Sequence, residues 1–285
     1  MTATAADSYP PEVHVLRDLA LKVQHAPGVS RAWMALNEHM GNDAGHVRAG
    51  VLTVLVDAIS GGLAASTAAP DWIATADLTL HVTRPVDVSG AGELEAVAQV
   101  ARAGRTTVVL ETAVSSAGAP MAISTLTFGV LPRREGNPVM TVRADVHEGG
   151  ADDDDPARRP RETFLGAAGG FTQNAYESIG FVDRGGGNVE LPTSDYIVNS
   201  IGGVQGGVLG ALVDAAAGSA LGPEFELVDL HLVYLALARI GPIVTSTEVW
   251  TDGGDHATVS VDVHDLGAGR RTTVATGSAV RWRAP

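Results

Sequence analysis

The sequence predicts an α+β protein built from two tandem copies of one domain. Each copy is a curled antiparallel sheet around a long central helix, and the two sheets join side by side. Three observations lead there. Residues 42–61 (NDAGHVRAGVLTVLVDAISG) and 199–218 (NSIGGVQGGVLGALVDAAAG) are identical at 11 of 20 positions without a gap, so one segment recurs 157 residues further on. Inside it, residues 49–65 are almost all apolar or small, with no polar face. A helix that is apolar all round is buried all round. Each motif is then followed by strand-like runs joined by glycine turns, as in antiparallel hairpins.

The elements follow in matching order. The first copy reads as a helix at 12–25, a strand at 29–39, the central helix at 49–65, and strands at 74–86, 92–101, 106–116 and 120–131. The second reads as a short helix near 164–178, a strand at 188–198, the central helix at 206–220, and strands at 226–238, 243–251, 256–264 and 271–283. Asp77-Leu78 and Leu80 match Asp229-Leu230 and Leu232, so the strands after the two helices are equivalent in the two copies. Between the copies lie an acidic run, several prolines and RRPRE, read as a partly mobile surface linker. The expected organisation is a domain over 12–133, a linker over 134–162 and a second domain over 163–285.

Composition narrows the functions. With 45% hydrophobic and 18% charged residues the chain belongs to the globular class. Two domains from 285 residues are each long enough to bury a core. A net charge of −14 argues against a nucleic-acid partner, because phosphate binding needs a basic surface. No stretch reaches about 18 uninterrupted apolar residues, which argues against a membrane span. The start, MTATAADSYPPEVH, lacks a basic region followed by an apolar run, so no secretory signal is read and the cytoplasm is the default. The absence of cysteine removes disulfides, thiolate catalysis and Cys-type zinc sites. The histidines show no metal-ligand spacing, and the sequence asks for no metal and no cofactor.

Asp57 and Asp214 stand out because each sits alone in a run of Val, Leu and Ala at the same helical position. A buried carboxylate is costly unless it is paired or its pKa shifts. Common descent would place the same residue in both copies; so would a shared chemical task, since a carboxylate in an apolar site is a natural general base.

The architecture just described is the hot-dog fold. The pattern N-x-x-G-x-V-x-[G/A]-G-V-L-x-x-L-V-D-A-x-x-G, followed by a strand ending near Arg84-Pro85, resembles the acyl-CoA thioesterases of the phenylacetate-pathway type. The likeness covers most of both halves outside the linker and the N-terminal arm. It implies an acyl-CoA substrate and hydrolysis of its thioester. Ala49 and Gly206 open the two helices, eight residues before each Asp, and eight helical residues span about 12 Å. One helix therefore cannot bring both an oxyanion donor and the base within about 3 Å of one carbonyl. Two antiparallel helices can, so each site is expected to be composite.

Site one joins Asn199, Gln205 and the Gly206 N–H to Asp57, with Thr75 at the position where related thioesterases carry a hydroxyl. Site two joins Asn42, Arg48 and the Ala49 N–H to Asp214, with Leu227 at the hydroxyl position. The family most often has His-Gly at the helix start, where this chain has Gln205-Gly206 and Arg48-Ala49. Arg48 is expected to depress the Asp214 pKa, and the Ala49 side chain to crowd a thioester, so Asp57 is expected to be the working base or nucleophile and Asp214 the weaker. Arg84 is a candidate for a CoA phosphate. A non-catalytic acyl-CoA-binding or sensing protein is the alternative. Hot-dog hydratases and dehydratases pair a His with an acid, and neither motif has that His. The oligomeric state stays open, with a homodimer of double hot-dog subunits one form the resemblance allows.

Overall fold

The computed structural model describes residues 9–89, 92–133, 162–163, 170–252 and 254–281. The first copy comprises α1 (Val15–Asp18), β1 (Lys22–Ala26), β2 (Val29–Ala35), α2 (Ala49–Ala68), β3 (Trp72–Val82), β4 (Glu93–Ala103), β5 (Thr107–Ser116) and β6 (Ala119–Leu131). A two-residue strand β7 (Glu162–Thr163) follows. The second copy comprises α3 (Ala175–Ile179), β8 (Val182–Asp183), β9 (Val189–Leu191), α4 (Gly206–Leu221), β10 (Phe225–Tyr234), β11 (Ile243–Asp252), β12 (His256–Asp265) and β13 (Arg270–Arg281). The described strands form one 13-stranded sheet in the order β7-β1-β2-β4-β5-β6-β3-β10-β13-β12-β11-β9-β8. The long helices pack on it: a tandem hot-dog.

Strand alternation sets the inner face. Leu94, Ala96 and Ala98 of β4, Val108, Leu110 and Val114 of β5, and Val259, Val261 and Val263 of β12 are all buried. They alternate with more exposed neighbours, the period-2 pattern of a half-buried sheet. The copies meet where β3 pairs antiparallel with β10, with Leu80 opposite Leu230 and Leu78 opposite Leu232. Those four leucines are buried, while the outer face carries the reciprocal pairs His81–Asp229 (2.5 Å) and His231–Asp77 (2.8 Å).

Helix α2 is long and apolar enough to cross a membrane by length and composition; here it is the mostly buried core of a domain. It runs antiparallel to α4, because Gly50 meets Asp214 while Asp57 meets Gly207. The approach is close enough to require glycine. A Cβ on Gly207 would lie 2.6 Å from the Thr53 carbonyl oxygen and the Val54 Cα, and one on Gly50 would lie 2.7 Å from the Ala211 Cα. Thr53 Oγ1 donates towards both Gly50 O (2.7 Å) and Gly207 O (2.8 Å) at this crossing.

Several outer elements differ from expectation. The helix expected over 12–25 is a single turn, capped by His14 and followed by Ala20 at φ 48. A positive φ stops a helix, and the chain then forms β1, which turns at Pro27-Gly28 into β2. The strand expected over 29–39 gives way to a 3₁₀ turn at Glu38–Met40, because Asn37 caps it. The strand expected over 188–198 is three residues long and stops before Pro192, which cannot donate to a ladder. The helix expected near 164–178 is α3; residues 164–169 lie outside the described residues. So does the expected linker apart from Glu162, which pairs with Val23 of β1.

Candidate active site

Neither long helix caps its own start. The N-cap residues Arg48 and Gln205 make no side-chain cap bond, and neither first turn holds an acidic residue. The carboxylate arrives from the opposite copy. Asp57 Oδ2 accepts from Gly207 N (2.9 Å), and an Asp214 carboxylate oxygen accepts from Gly50 N (3.0 Å). An anion at a helix N-terminus is favoured by unpaired N–H groups and the helix dipole. The two aspartates therefore close the seam reciprocally. The donor is the second helical residue in each case. Among the described residues, none accepts from the first, the N–H of Gly206.

At the Asp57 centre, Thr75 Oγ1 donates to Asp57 Oδ1 (2.9 Å). A β-bulge between Thr75 and Asp77 precedes the paired leucines, and β10 carries its counterpart between Leu227 and Asp229. Bulges re-aim neighbouring side chains, and this one brings Thr75 against the helix start. A Cβ on Gly206 would lie 2.7 Å from Thr75 Oγ1 and 3.0 Å from Asp57 Oδ1, so any larger residue there would displace this pair. Burial raises the Asp57 pKa, opposed by the bonds from Gly207 and Thr75. The residue is only 6% exposed.

Three further groups complete this centre, and two were not anticipated. Gln205 donates through Nε2 to the Tyr9 hydroxyl. Tyr9 comes from an N-terminal arm whose Pro10 and Pro11 carbonyls accept from Arg17. The arm crosses to the second copy, where His14 Nε2 meets Val198 O (3.0 Å) and Val15 N donates to Tyr196 O (2.9 Å). Tyr234 donates to the Gly206 carbonyl (2.8 Å). Burial, then the Asp57 charge, raises the pKa of both Tyr9 and Tyr234. A comparison of the copies could have flagged Tyr234, because Val82 occupies its place in the first; nothing in the sequence marks Tyr9.

Asn199 is not brought to Asp57. Its Oδ1 accepts from Ile201 N (3.1 Å) and Gly203 N (2.9 Å), closing the loop that delivers Gln205 and Gly206. Asn42 does the same for the first copy, accepting from Ala44 N (3.0 Å) and His46 N (2.9 Å). Both are Asx-type loop residues.

The Asp214 centre differs. Leu227 is buried at the hydroxyl position, and the hydroxyl comes instead from Tyr176 of α3, which donates to Asp214 Oδ2. The Arg48 guanidinium lies 4.7 Å over the Tyr176 ring, while its Nε donates to Gly41 O (2.8 Å). The expected depression of the Asp214 pKa does not result. Burial raises it and outweighs the lowering by Tyr176, Arg48 and Gly50. Asp214, Ala49, Arg48 and Tyr176 line a cavity of about 560 Å³, and Asp57 does not. Arg84 also lines it, at an exposed strand end where Nη2 donates to Ser116 O (3.3 Å). Among the described residues no group of three or more His, Asp or Glu is placed to hold a metal ion.

Comparison with known proteins agrees with this architecture. Residues 10–130 match the family model described as acyl-CoA thioesterase C-terminal domain. The tesB protein of Mycobacterium avium subspecies paratuberculosis superposes with a TM-score of 0.57 at 13% identity, over 94% of this chain and 98% of that one. A 12:0-ACP thioesterase from Umbellularia californica gives 0.59 at 12% identity, over 89% and 94%. A conserved hot-dog protein of unknown function from Alicyclobacillus acidocaldarius gives 0.56 at 14%, over 95% and 98%. No curated protein matches the sequence.

Proposed function

We propose that this protein hydrolyses an acyl-CoA thioester to a free acid and CoA. The observation that carries the proposal is the Asp57 carboxylate, held by Thr75 and Gly207 beside Gln205 at the start of the opposite helix. The family match over 10–130 and the motif's likeness to phenylacetate-pathway-type thioesterases point the same way.

The Gly206 N–H, at the positive end of α4, polarises the thioester carbonyl and receives the developing oxyanion. Asp57 takes a proton from water as general base while the water oxygen bonds to the carbonyl carbon, or its carboxylate attacks that carbon directly to form an anhydride that water then opens. In either route the C–S bond breaks and the CoA thiolate leaves and is protonated. Its raised pKa suits a base working nearer neutrality than an ordinary aspartate. Thr75 fixes the carboxylate, and Gln205 orients water or carbonyl. Asn199 contributes by shaping the loop that carries Gln205.

One observation favours the alternative of acyl-CoA binding without turnover: Tyr9 is bonded to Gln205 beside Asp57. Thiol release from short, medium, long and aromatic acyl-CoAs, without metal or nucleotide, separates the two. Turnover that falls at least about tenfold in Asp57→Asn supports hydrolysis at this centre. Tight binding by calorimetry with no turnover across the panel supports the alternative.

A further inference from the structure

We infer that the cavity beside Asp214 is a second acyl-thioester site, in which the Tyr176 hydroxyl does for Asp214 what Thr75 does for Asp57. The inference rests on the thioesterase reading above. By its motif this centre is the deficient one, because Leu227 stands where the strand hydroxyl belongs. The fold replaces that hydroxyl from a different element: Tyr176 comes from α3, and its donor bond ends on the same carboxylate that caps α2. The packing is specific to that arrangement, since a Cβ on Gly50 would collide with the Tyr176 hydroxyl.

The space is there too. Val82 occupies in the first copy the position of Tyr234 in the second, and the smaller side chain faces the cavity. Met121, Phe181, Leu221 and Phe225 give the cavity apolar walls suited to an acyl chain, and Arg48 and Arg84 give it cationic groups suited to an anionic carrier. In the reaction, Asp214 accepts a proton from water and the water oxygen bonds to the thioester carbon. The C–S bond then breaks, and the leaving thiolate is protonated as Asp214 returns to the carboxylate. Tyr176 is a positioning residue, acting through Asp214. The ionisable groups around Asp214 are Tyr176 on α3, Arg48 before α2, and Glu226 on β10, which is bonded to His46 (2.8 Å).

The test uses the full chain in an Asp57→Asn background, so that remaining turnover reports the second centre. Saturable thiol release should persist there. Adding Tyr176→Phe should lower kcat about tenfold or more with KM altered less than about threefold. The acid limb of the kcat profile should move to higher pH, because the lost bond favoured the ionised Asp214. Adding Val82→Tyr instead should fill the cavity and raise KM steeply. Complete loss of turnover in Asp57→Asn alone, or a residual rate indifferent to both second substitutions, would overturn the inference. If the wild type is inert to every acyl-CoA, the hydrolase reading fails separately. A thioether analogue of acyl-CoA then decides the cavity: binding lost in Val82→Tyr keeps the assignment, and binding unchanged by it removes it.

Discussion

Replacing Gly207 by alanine tests the helix seam on which both centres depend. The added Cβ would lie 2.6 Å from the Thr53 carbonyl oxygen and the Val54 Cα, and 3.0 Å from the Asp57 Cβ. Two of these are backbone atoms, so no rotamer change relieves the contact, and the helices must part by roughly 1 Å. Overpacking of this kind costs about 1–3 kcal/mol. Parting the helices also weakens the bond from Gly207 N to Asp57, and a bond to a charged group contributes about 1.5–3 kcal/mol. Against this, Gly→Ala in a helix gains about 1 kcal/mol. The net is a loss of about 2–4 kcal/mol, or roughly 5–15 °C in Tm. Gly62, in α2 with nothing within 4 Å of its would-be Cβ, is the control, and Gly62→Ala should be neutral or stabilising. Thermal and urea denaturation of both variants make the comparison. A Gly207→Ala protein as stable as Gly62→Ala would refute the close approach of the helices.

Three further outcomes follow from the same geometry. Burial raises the Asp57 pKa, so the native state holds the proton more tightly than the unfolded chain. The stability linked to the neutral carboxyl is complete below the ordinary aspartate range and is lost as pH rises through the folded value. Asp57→Asn should therefore melt at or above wild type at pH 7, with the gap closing on acidification; a gap that widens at low pH would contradict the shift. Thr75→Val should lower kcat about tenfold or more while acyl-CoA binding by calorimetry holds; an unchanged kcat would remove Thr75 from the site. Burial works upward on Asp265, but the N–H groups of Ile240, Arg239, Ala268 and Gly241 outweigh it and hold the carboxyl below the usual range. The stability from Asp265 is therefore present above the ordinary aspartate value and lost as pH falls through the folded one. Asp265→Ala should cost about 2 kcal/mol or more, read by urea denaturation at pH 7, and no loss would refute the role of this nest.

The repeat and the featureless helices were enough to read the fold, because a helix without a polar face has few places to go except inside a sheet. The equivalence of the two strands was legible as well, through Asp77-Leu78 and Asp229-Leu230, but their antiparallel pairing, with Leu78 opposite Leu232 and Leu80 opposite Leu230, was not. The sequence also pointed to Asp57, Thr75, Gln205 and Gly206, which the fold gathers at one helix start. What stayed hidden depends on chain segments distant in sequence. Tyr9 reaches Gln205 only because the N-terminal arm crosses to the other copy, and Tyr176 supplies the hydroxyl that Leu227 cannot. Asn42 and Asn199 each close an Asx turn, a role that the spacing of the motif does not separate from one in a site. Side-chain volume was not legible from the helix-start residues: Val82, at the position Tyr234 holds in the other copy, lines a cavity beside Asp214, the end where Ala49 was expected to crowd the substrate.

The most direct measurement is kcat/KM for the best acyl-CoA in the double variant Asp57→Asn/Asp214→Asn, with melting curves alongside. Both substitutions keep side-chain shape and remove a base. The expected result is a folded protein whose kcat/KM is lower by about a hundredfold to ten-thousandfold. A folded double variant that hydrolyses acyl-CoA at the wild-type rate would contradict it, because the chemistry would then lie outside the two carboxylates that the helix starts hold.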